Sequence, residues 1–347
     1  MLENINFYCI MPAKLIKIAI DAMGGDDAPD VPVNGIKVFL STFPSENVIF
    51  KVYGDEQILR RKMLGIDRAR YEIIHCENKI ESDEKPSLAV RQSKGTSMRA
   101  AIEAVSSKEC DASISGGNTG ALMALSKIIL KTAKDIDRPA ICAMMPTKSG
   151  KCVLLDMGAN IDVTAQNLLE FAFMGEAFAQ VVLKKRKPTV GLLNIGSEEM
   201  KGHAYIHEAA EKIRASHLKD QFIGYIEPDK IYTGEVDVIV TDGFTGNIVI
   251  KSAEGLGKMI KILLKRAFSS SIFAVVGAIL CGMSVKRTMK KMDPNNYNGG
   301  MFIGLNGVSI KSHGGADKYG FANAIMTAVS IVKEEMHRKI VEKINLS

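Results

Sequence analysis

Four short loops rich in glycine, asparagine and aspartate limit what this chain can become. They are Ser115-Gly116-Gly117-Asn118-Thr119-Gly120, Asp156-Met157-Gly158-Ala159-Asn160, Asn194-Ile195-Gly196-Ser197-Glu198 and Asp242-Gly243-Phe244-Thr245-Gly246-Asn247. Each follows an apolar run that reads as a strand and precedes a stretch with helical spacing. A strand that feeds a helix in this way belongs to a sheet covered by helices, because the helix must bury its apolar stripe on a sheet face. The same geometry lets phosphates and small ligands sit at strand C-termini and helix N-termini. Glycine allows close backbone approach, and Asn or Asp tolerates turn dihedrals while offering polar groups. One such loop is weak evidence; four in series point to a shared cleft.

The alternation runs through the chain. Strands are expected at Lys17–Ile20, Val48–Tyr53, Tyr71–His75, Ala112–Ser115, Thr189–Leu193, Phe222–Ile226 and Val236–Val240. Helices are expected at Val31–Leu40, Gln57–Met63, Ser87–Ser106, Ala121–Leu130, Val163–Val182, His203–Arg214, Ile248–Phe268, Ser271–Met289 and Tyr319–Ile340. Ala140–Met145 and Cys152–Leu155 flank the turn Thr147-Lys148-Ser149-Gly150, which predicts a hairpin and therefore an antiparallel strand. Ile303 and Ser309-Ile310 lie on extended segments near Gly304 and Gly307. The fold class is α/β, a three-layer α/β/α sandwich with a large mixed sheet. No linker, low-complexity tract or repeat period interrupts it. Residues 14–347 therefore read as a single two-lobed domain, behind a loosely ordered extension over 1–13 in which Met11 is an alternative start.

Charge and composition exclude several classes. The 347 residues carry a net charge of +6, which favours an acidic partner or an anionic membrane face without requiring nucleic acid. Tryptophan is absent and aromatics make up 6%, too little for a base-stacking platform. The cysteines, Cys9, Cys76, Cys110, Cys142, Cys152 and Cys281, form no CxxC pair and read as reduced thiols of a cytoplasmic protein. Glu3 and the lack of a basic N-terminal region argue against a signal peptide. Between Leu256 and Met292, Lys258, Lys261, Lys265 and Arg266 precede the uncharged run Ile272–Met283, and Lys286, Arg287, Lys290 and Lys291 follow it. A membrane span needs about 20 apolar residues, so this run is too short. It reads as a protruding helical hairpin, buried in a dimer interface or resting on anionic lipid.

The loops supply the candidate site. Asp21 and Asp26 flank Gly24-Gly25 before a helix, an anion-binding nest or a tight capping turn. Gly117, Asn118 and Thr119 stand at a helix start, where capping and ligand binding are compatible. Asp156, Gly158 and Asn160 end a strand; the carboxylate orients a ligand or, more simply, stabilises the turn. Asn194, Glu198 and Lys201 follow the next strand, with Lys201 able to neutralise a phosphate that Glu198 orients, or forming a solvated helix start. Asp242, Thr245 and Asn247 repeat the pattern, with Lys251 one turn on. His203 and His207 have metal-ligand spacing but lack the accompanying Glu, so a surface pair is the better reading. His313 lies in the Gly-rich loop Lys311-Ser312-His313-Gly314-Gly315, where histidine does proton or hydrogen-bond work. No Gly-x-Ser-x-Gly elbow and no Walker loop is present. Anion-binding loops without an obvious nucleophile suit a reaction in which phosphate itself attacks.

Taken in order, these blocks resemble one family. Ile18-Ala19-Ile20-Asp21-Ala22-Met23-Gly24-Gly25-Asp26 is similar to the N-terminal signature of the bacterial phosphate acyltransferases, the acyl-carrier-protein:phosphate transacylases of phospholipid synthesis. Gly117-Asn118-Thr119-Gly120-Ala121-Leu122, Leu155–Asn160, Gly191–Gly196 through Lys201-Gly202, Asp237–Asn247, and Gly304-Leu305-Asn306-Gly307 through Ser312-His313-Gly314 resemble the later blocks. The resemblance runs from about residue 16 to about residue 330. One departure stands out: the family usually has His-Gly after Gly-Gly-Asp, whereas this chain has Asp27-Ala28, so no role for that histidine carries over. The resemblance implies a fold like the isocitrate and isopropylmalate dehydrogenases and phosphotransacetylase, and a homodimer. It implies no metal and no nucleotide cofactor. The reaction it implies is acyl-[acyl carrier protein] plus inorganic phosphate giving acyl phosphate, which a membrane glycerol-3-phosphate acyltransferase then uses.

On this reading phosphate is held by loop N–H groups with Lys201 or Lys94, and its oxygen attacks the thioester carbonyl. Asn118, Asn160, Asn247 or a loop amide stabilises the oxyanion, and His313 supplies a proton. A short-chain acyl-CoA phosphotransferase of the phosphotransacetylase type is the nearest alternative. An NAD-dependent dehydrogenase of the same fold and a non-catalytic carrier-binding module are rivals from other classes.

Overall fold

In a computed structural model the described residues are 15–198, 200–291 and 298–344. The N-terminal extension with Cys9 and Met11 lies outside them, as do Met292 and the side chains of Lys286, Arg287, Lys290 and Lys291. The first part of the chain forms β1 (Ile16–Asp21), α1 (Asp30–Thr42), β2 (Val48–Gly54), α2 (Glu56–Lys62), β3 (Tyr71–His75), α3 (Pro86–Arg91), α4 (Ser97–Ser106), β4 (Ala112–Ser115) and α5 (Thr119–Leu130). The hairpin β5 (Ala140–Thr147) and β6 (Gly150–Leu155) follows. Then come α6 (Ala165–Val182), β7 (Val190–Leu193), α7 (Ala204–Arg214), β8 (Phe222–Ile226), β9 (Val238–Val240), α8 (Gly243–Phe268) and α9 (Ile272–Lys291). The chain closes with β10 (Gly300–Ile303), β11 (Val308–Lys311), α10 (Lys318–Lys333) and α11 (Met336–Ile344).

All strands join one sheet in the order β3-β2-β1-β4-β11-β10-β5-β6-β9-β7-β8. β1, β2, β3, β4 and β11 run parallel to one another, and so do β6, β9, β7 and β8. β10 is antiparallel to both neighbours, and β5 is antiparallel to β6. The two parallel sets therefore point in opposite directions. Their ends nevertheless approach each other, because the register staggers them. Ser115 pairs with Lys311, Lys311 with Gly300, Met301 with Cys142 and Ala143 with Leu154. Asp156 thus sits about two residues past the level of Lys311, roughly 7 Å along the strands and about 14 Å across three strand spacings.

Strict alternation along the strands divides the core into two faces. Ile18 and Ile20 share one cluster with Phe39 of α1, Phe171 of α6 and Phe321 of α10. Ala19, Ile141 and Phe302 face the other way, onto α4 and α5. Leu154 and Ile239 share that second face with Val249 and Ile250 of α8. Helices on both faces give three layers.

Two helices expected as continuous are broken. Over 87–106 the chain turns at Gln92–Thr96, where Gly95 takes a φ of 77° and Thr96 caps α4 by accepting a bond from Arg99 N. Near the C-terminus Glu335, at φ 52°, separates α10 from α11. The hairpin of α8 and α9 leaves the body almost at once: in α8 only Gly243 and Gly246 are buried. The strand ends of the second set are pinned by close helix packing. A Cβ at Gly175 of α6 would meet Val238 Cγ1 at 2.5 Å and Leu155 Cδ2 at 3.0 Å. Gly175→Leu is expected to cost about 1–3 kcal/mol, read as a lower urea midpoint with an unchanged slope.

Candidate functional site

Three loops of the first strand set meet at one point. Asp21, 1% exposed at the end of β1, accepts hydrogen bonds from Ser97 Oγ and Ser115 Oγ at 2.6 Å each and from Met23 N at 3.3 Å. Ser115 Oγ in turn accepts from Gly117 N at 3.0 Å, so the loop after β4 hangs on the carboxylate that ends β1. Ser312 N donates to Ser115 O at 2.9 Å, and Asp26 N to Gly314 O at 3.1 Å, which ties in the loop after β11. Gly24 lies so close that a Cβ there would strike Asp21 Oδ2 and Gly117 N. Gly25 takes a φ of 117°, a conformation that suits glycine.

A half-buried lysine lies under this junction. Lys311 Nζ donates to Gly116 O at 3.1 Å and to Ser312 O. Burial pulls its pKa down to about 8, against the fields of Asp26 and Asp21, which hold the charged form. Burial pushes the Asp21 carboxyl up, opposed by the two serine hydroxyls, Met23 N and Lys311.

The other first-set candidates lie around the rim. His313 is exposed; its N donates to Asn298 Oδ1 at 2.8 Å, and its Nδ1 accepts from Gly315 N at 3.1 Å. With Nδ1 an acceptor, the neutral ring carries its proton on Nε2, which faces Glu254 Oε2 of α8 at 3.8 Å. Asn118 caps α5: Oδ1 accepts from Ala121 N, and Nδ2 donates to Ser82 O and Glu84 O at 3.0 and 2.8 Å. Its amide is occupied by local structure. Thr119 opens α5. Lys94 is exposed between α3 and α4 and makes no ion pair among the described residues.

The second set builds its own polar cluster. Asp156 is fully buried. Its Oδ1 accepts from Ile141 N, Gly158 N and Ala159 N, and its Oδ2 from Asn160 N and Asn160 Nδ2, at 2.6–3.2 Å. Burial pushes this carboxyl up, while the bonds from Ala159 N, Ile141 N and both Asn160 donors oppose the shift. Asn160 Nδ2 also donates to Pro139 O, whereas Asn160 Oδ1 has no partner among the described residues. Gly243 N donates to Asn160 O at 2.7 Å, and Asn247 packs against Gly158, 3.5 Å from where its Cβ would be. Asp242 caps α8 through Thr245 N and Thr245 Oγ1 and takes a further bond from Tyr205 Oη at 3.3 Å. Asn194 donates through Nδ2 to Lys201 O. Lys201 and Glu198 pair with each other at 2.7 Å, both exposed, and each holds the other's charged form.

The structure thus brings Asp21, Gly24, Gly25 and Gly117 together at one junction, with His313 at its edge. It brings Asp156, Gly158, Asn160, Asp242, Thr245 and Asn247 together at another, with Asn194 alongside. His207 is turned to Tyr225 Oη at 2.9 Å and His203 stacks on Tyr205, so their helical spacing serves packing. Among the described residues no group of three His, Cys, Asp or Glu side chains is placed to hold a metal. Sequence reasoning passed over Lys311, Ser115, Ser97 and Tyr205. Lys311 and Ser115 were within reach, since both end a strand that opens a glycine loop; Ser97 and Tyr205 become relevant only through contacts across the fold.

The chain is similar to known proteins along most of its length. The profile of the family described as fatty acid synthesis protein matches residues 16–339. A phosphate acyltransferase of Rhodospirillum rubrum is 45% identical over 94% of this chain and 94% of its own length. One from Rhodospirillum centenum is 46% identical over 93% and 91%. Among solved structures, a phosphotransacetylase from Streptococcus pyogenes superposes with a TM-score of 0.60 at 19% identity, over 91% of this chain and 94% of that one. A branched-chain phosphotransacylase from Enterococcus faecalis V583 gives 0.55 at 15%, over 94% and 99%. At such identities the likeness is one of fold.

The lowered Lys311 pKa makes a signed prediction for stability. Its folded value of about 8 lies below the ordinary 10.5. Between those values the unfolded chain binds more protons, so stability rises with pH across that window. The penalty is complete below about pH 8 and gone above pH 10.5. Urea midpoints measured from pH 7.5 to 10.5 are expected to show this rise in the wild type and to lose it in Lys311→Met. Asp156→Ala strands five donors and is expected to cost at least about 3 kcal/mol in the same assay.

Proposed function

This chain belongs to the phosphate acyltransferase family, and we propose that it transfers a fatty acyl group from acyl-[acyl carrier protein] to inorganic phosphate. The products are acyl phosphate, for phospholipid synthesis, and free carrier protein. Identity of about 45% with proteins of that name along nearly the whole chain is the observation that carries the reading.

The step balances without a cofactor. An oxygen of hydrogen phosphate attacks the thioester carbon, a C–O bond forms and the C–S bond breaks. The departing thiolate takes up the proton that the phosphate hydroxyl gives up. A thiol with a pKa near ~8.5 leaves readily, so placement of the two substrates and stabilisation of the oxyanion supply most of the acceleration. On this reading a loop N–H or the amide of Asn247 serves the oxyanion, and His313, exposed at the rim, moves the proton. A covalent route through the buried cysteines is disfavoured. Burial pushes the thiol of Cys76 to about 11 and those of Cys110 and Cys152 to about 12, and raises that of Cys142 well above its ordinary value. Such thiols are not nucleophiles near neutral pH.

The acidic carrier protein suits the +6 chain. The hairpin exposes Ile262, Leu263, Ile272, Phe273, Ile279 and Leu280, each at least half exposed. We propose that it pairs with a second copy and that its tip touches an anionic membrane surface, where a glycerol-3-phosphate acyltransferase takes the product. No helix among the described residues is long and apolar enough to cross a membrane. The two strand sets would then act as the lobes of one domain over 14–347.

The test is phosphate-dependent thiol release with acyl-[acyl carrier protein] and acyl-CoA compared as donors. A clear preference for the carrier protein is expected; preference for short-chain acyl-CoA would favour a phosphotransacetylase-type activity. Serine substitutions of Cys76, Cys110, Cys142 and Cys152 are expected to leave turnover within severalfold wherever the protein folds, and mass spectrometry of quenched reactions to find no acylated protein.

A further inference from the structure

We propose that inorganic phosphate binds where the loops after β1, β4 and β11 meet, held by the N–H groups of Gly24, Gly25 and Gly116 and by Lys311 as its counter-charge. This rests on the reading that phosphate is the acyl acceptor. Two observations point to an anion at this place. Gly24 and Gly116 are buried, yet the N–H groups of Gly24, Gly25 and Gly116 donate to no acceptor among the described residues. Buried backbone donors without partners are rare, because each forfeits its hydration. Beneath them lies a lysine whose Nζ uses the carbonyls of Gly116 and Ser312. The ammonium group carries three N–H donors, which leaves one for a ligand.

Other cations fit less well. Lys201 is taken by Glu198 on an exposed loop, and Lys94 is exposed on the loop before α4, whereas Lys311 already touches the junction through Gly116 O. In the second strand set the Asp156 carboxylate gathers the loop N–H groups to itself, so the donors an anion would need are already used. In the first set the carboxylate of Asp21 faces inward onto two serine hydroxyls and Met23 N; Gly117 N turns to Ser115 Oγ, and the N–H groups of Gly24, Gly25 and Gly116 have no acceptor among the described residues. The charged groups around Lys311 are Asp21 and Asp26 from the β1 side, with His313 of its own loop and Glu254 of α8 at the rim.

The experiment has two arms. Calorimetric titration with inorganic phosphate compares the wild type with Lys311→Met and Lys311→Arg, and needs no turnover. Steady-state thiol release from acyl-[acyl carrier protein] then gives KM for each substrate. Lys311→Met is expected to weaken phosphate binding and raise its KM by roughly 10- to 100-fold, the usual worth of a charge-assisted hydrogen bond. KM for the acyl donor should stay within about twofold, and Lys311→Arg should fall between. Phosphate affinity unchanged in Lys311→Met, or lowered instead by Lys201→Ala or Lys94→Ala, would overturn the site. Phosphate binding without phosphate-dependent thiol release would leave the site standing and defeat the functional reading. Should the Met variant not fold, the wild type carries the test. Its kcat/KM for phosphate is expected to fall about tenfold per pH unit once Lys311 loses its proton, above about pH 8. A profile flat to pH 10 would overturn the proposal.

Discussion

The reversal of strand direction in the middle of the sheet is the constraint on which the rest of this molecule depends. A single parallel sheet would put every strand-end loop on one edge. Here β10 runs against both neighbours and the β5–β6 hairpin turns the chain back. The loops after β1, β4 and β11 therefore come from one direction and those after β6, β7 and β9 from the other. Their ends stay within a few residues of each other along the strand axis. The short strands make this possible: β4 and β11 have four residues each and β9 has three.

Each set then fixes its loops with a buried carboxylate, but in different ways. Asp156 takes five N–H donors and spends them on shaping its own turn. Asp21 takes two hydroxyls and one N–H, and the N–H groups of Gly24, Gly25 and Gly116 have no acceptor among the described residues. Burying a carboxylate is costly unless its lone pairs are filled, and both solutions fill them. The first uses up the N–H groups of its loop; the second leaves those of Gly24, Gly25 and Gly116 without an acceptor among the described residues, beside a lysine. The difference in donor type, hydroxyl against backbone amide, separates a structural hub from a ligand seat.

Much of the fold was legible in the chain because its strands are short, apolar and punctuated by glycine. Tyr71–His75, Ala112–Ser115 and Phe222–Ile226 fall where their patterns put them, and the hairpin at 140–155 follows from Thr147–Gly150. The two broken helices were not legible, since Gly95 and Glu335 interrupt otherwise good helical spacing, and only the local dihedrals expose the breaks. The site was half legible. Glycine, asparagine and aspartate announce the loops, but nothing in a linear pattern says that Asn118 is consumed by capping or that Lys201 pairs outward with Glu198. Lys311 looks like the polar end of a strand. Its importance comes from Asp21 and Gly116, 290 and 195 residues away, brought near by strand order.

Helix α8 gives the architecture one more property. It starts under Asp242, whose partners lie in the second strand set, and after about three turns, some 16 Å, it presents Glu254 to His313 of the first. The same rod continues without interruption into the exposed hairpin. A stiff helix transmits tilt along its whole length, so a displacement of the hairpin is carried back to the loop that holds His313. One helix therefore spans from the strand-end loops to the exposed hairpin.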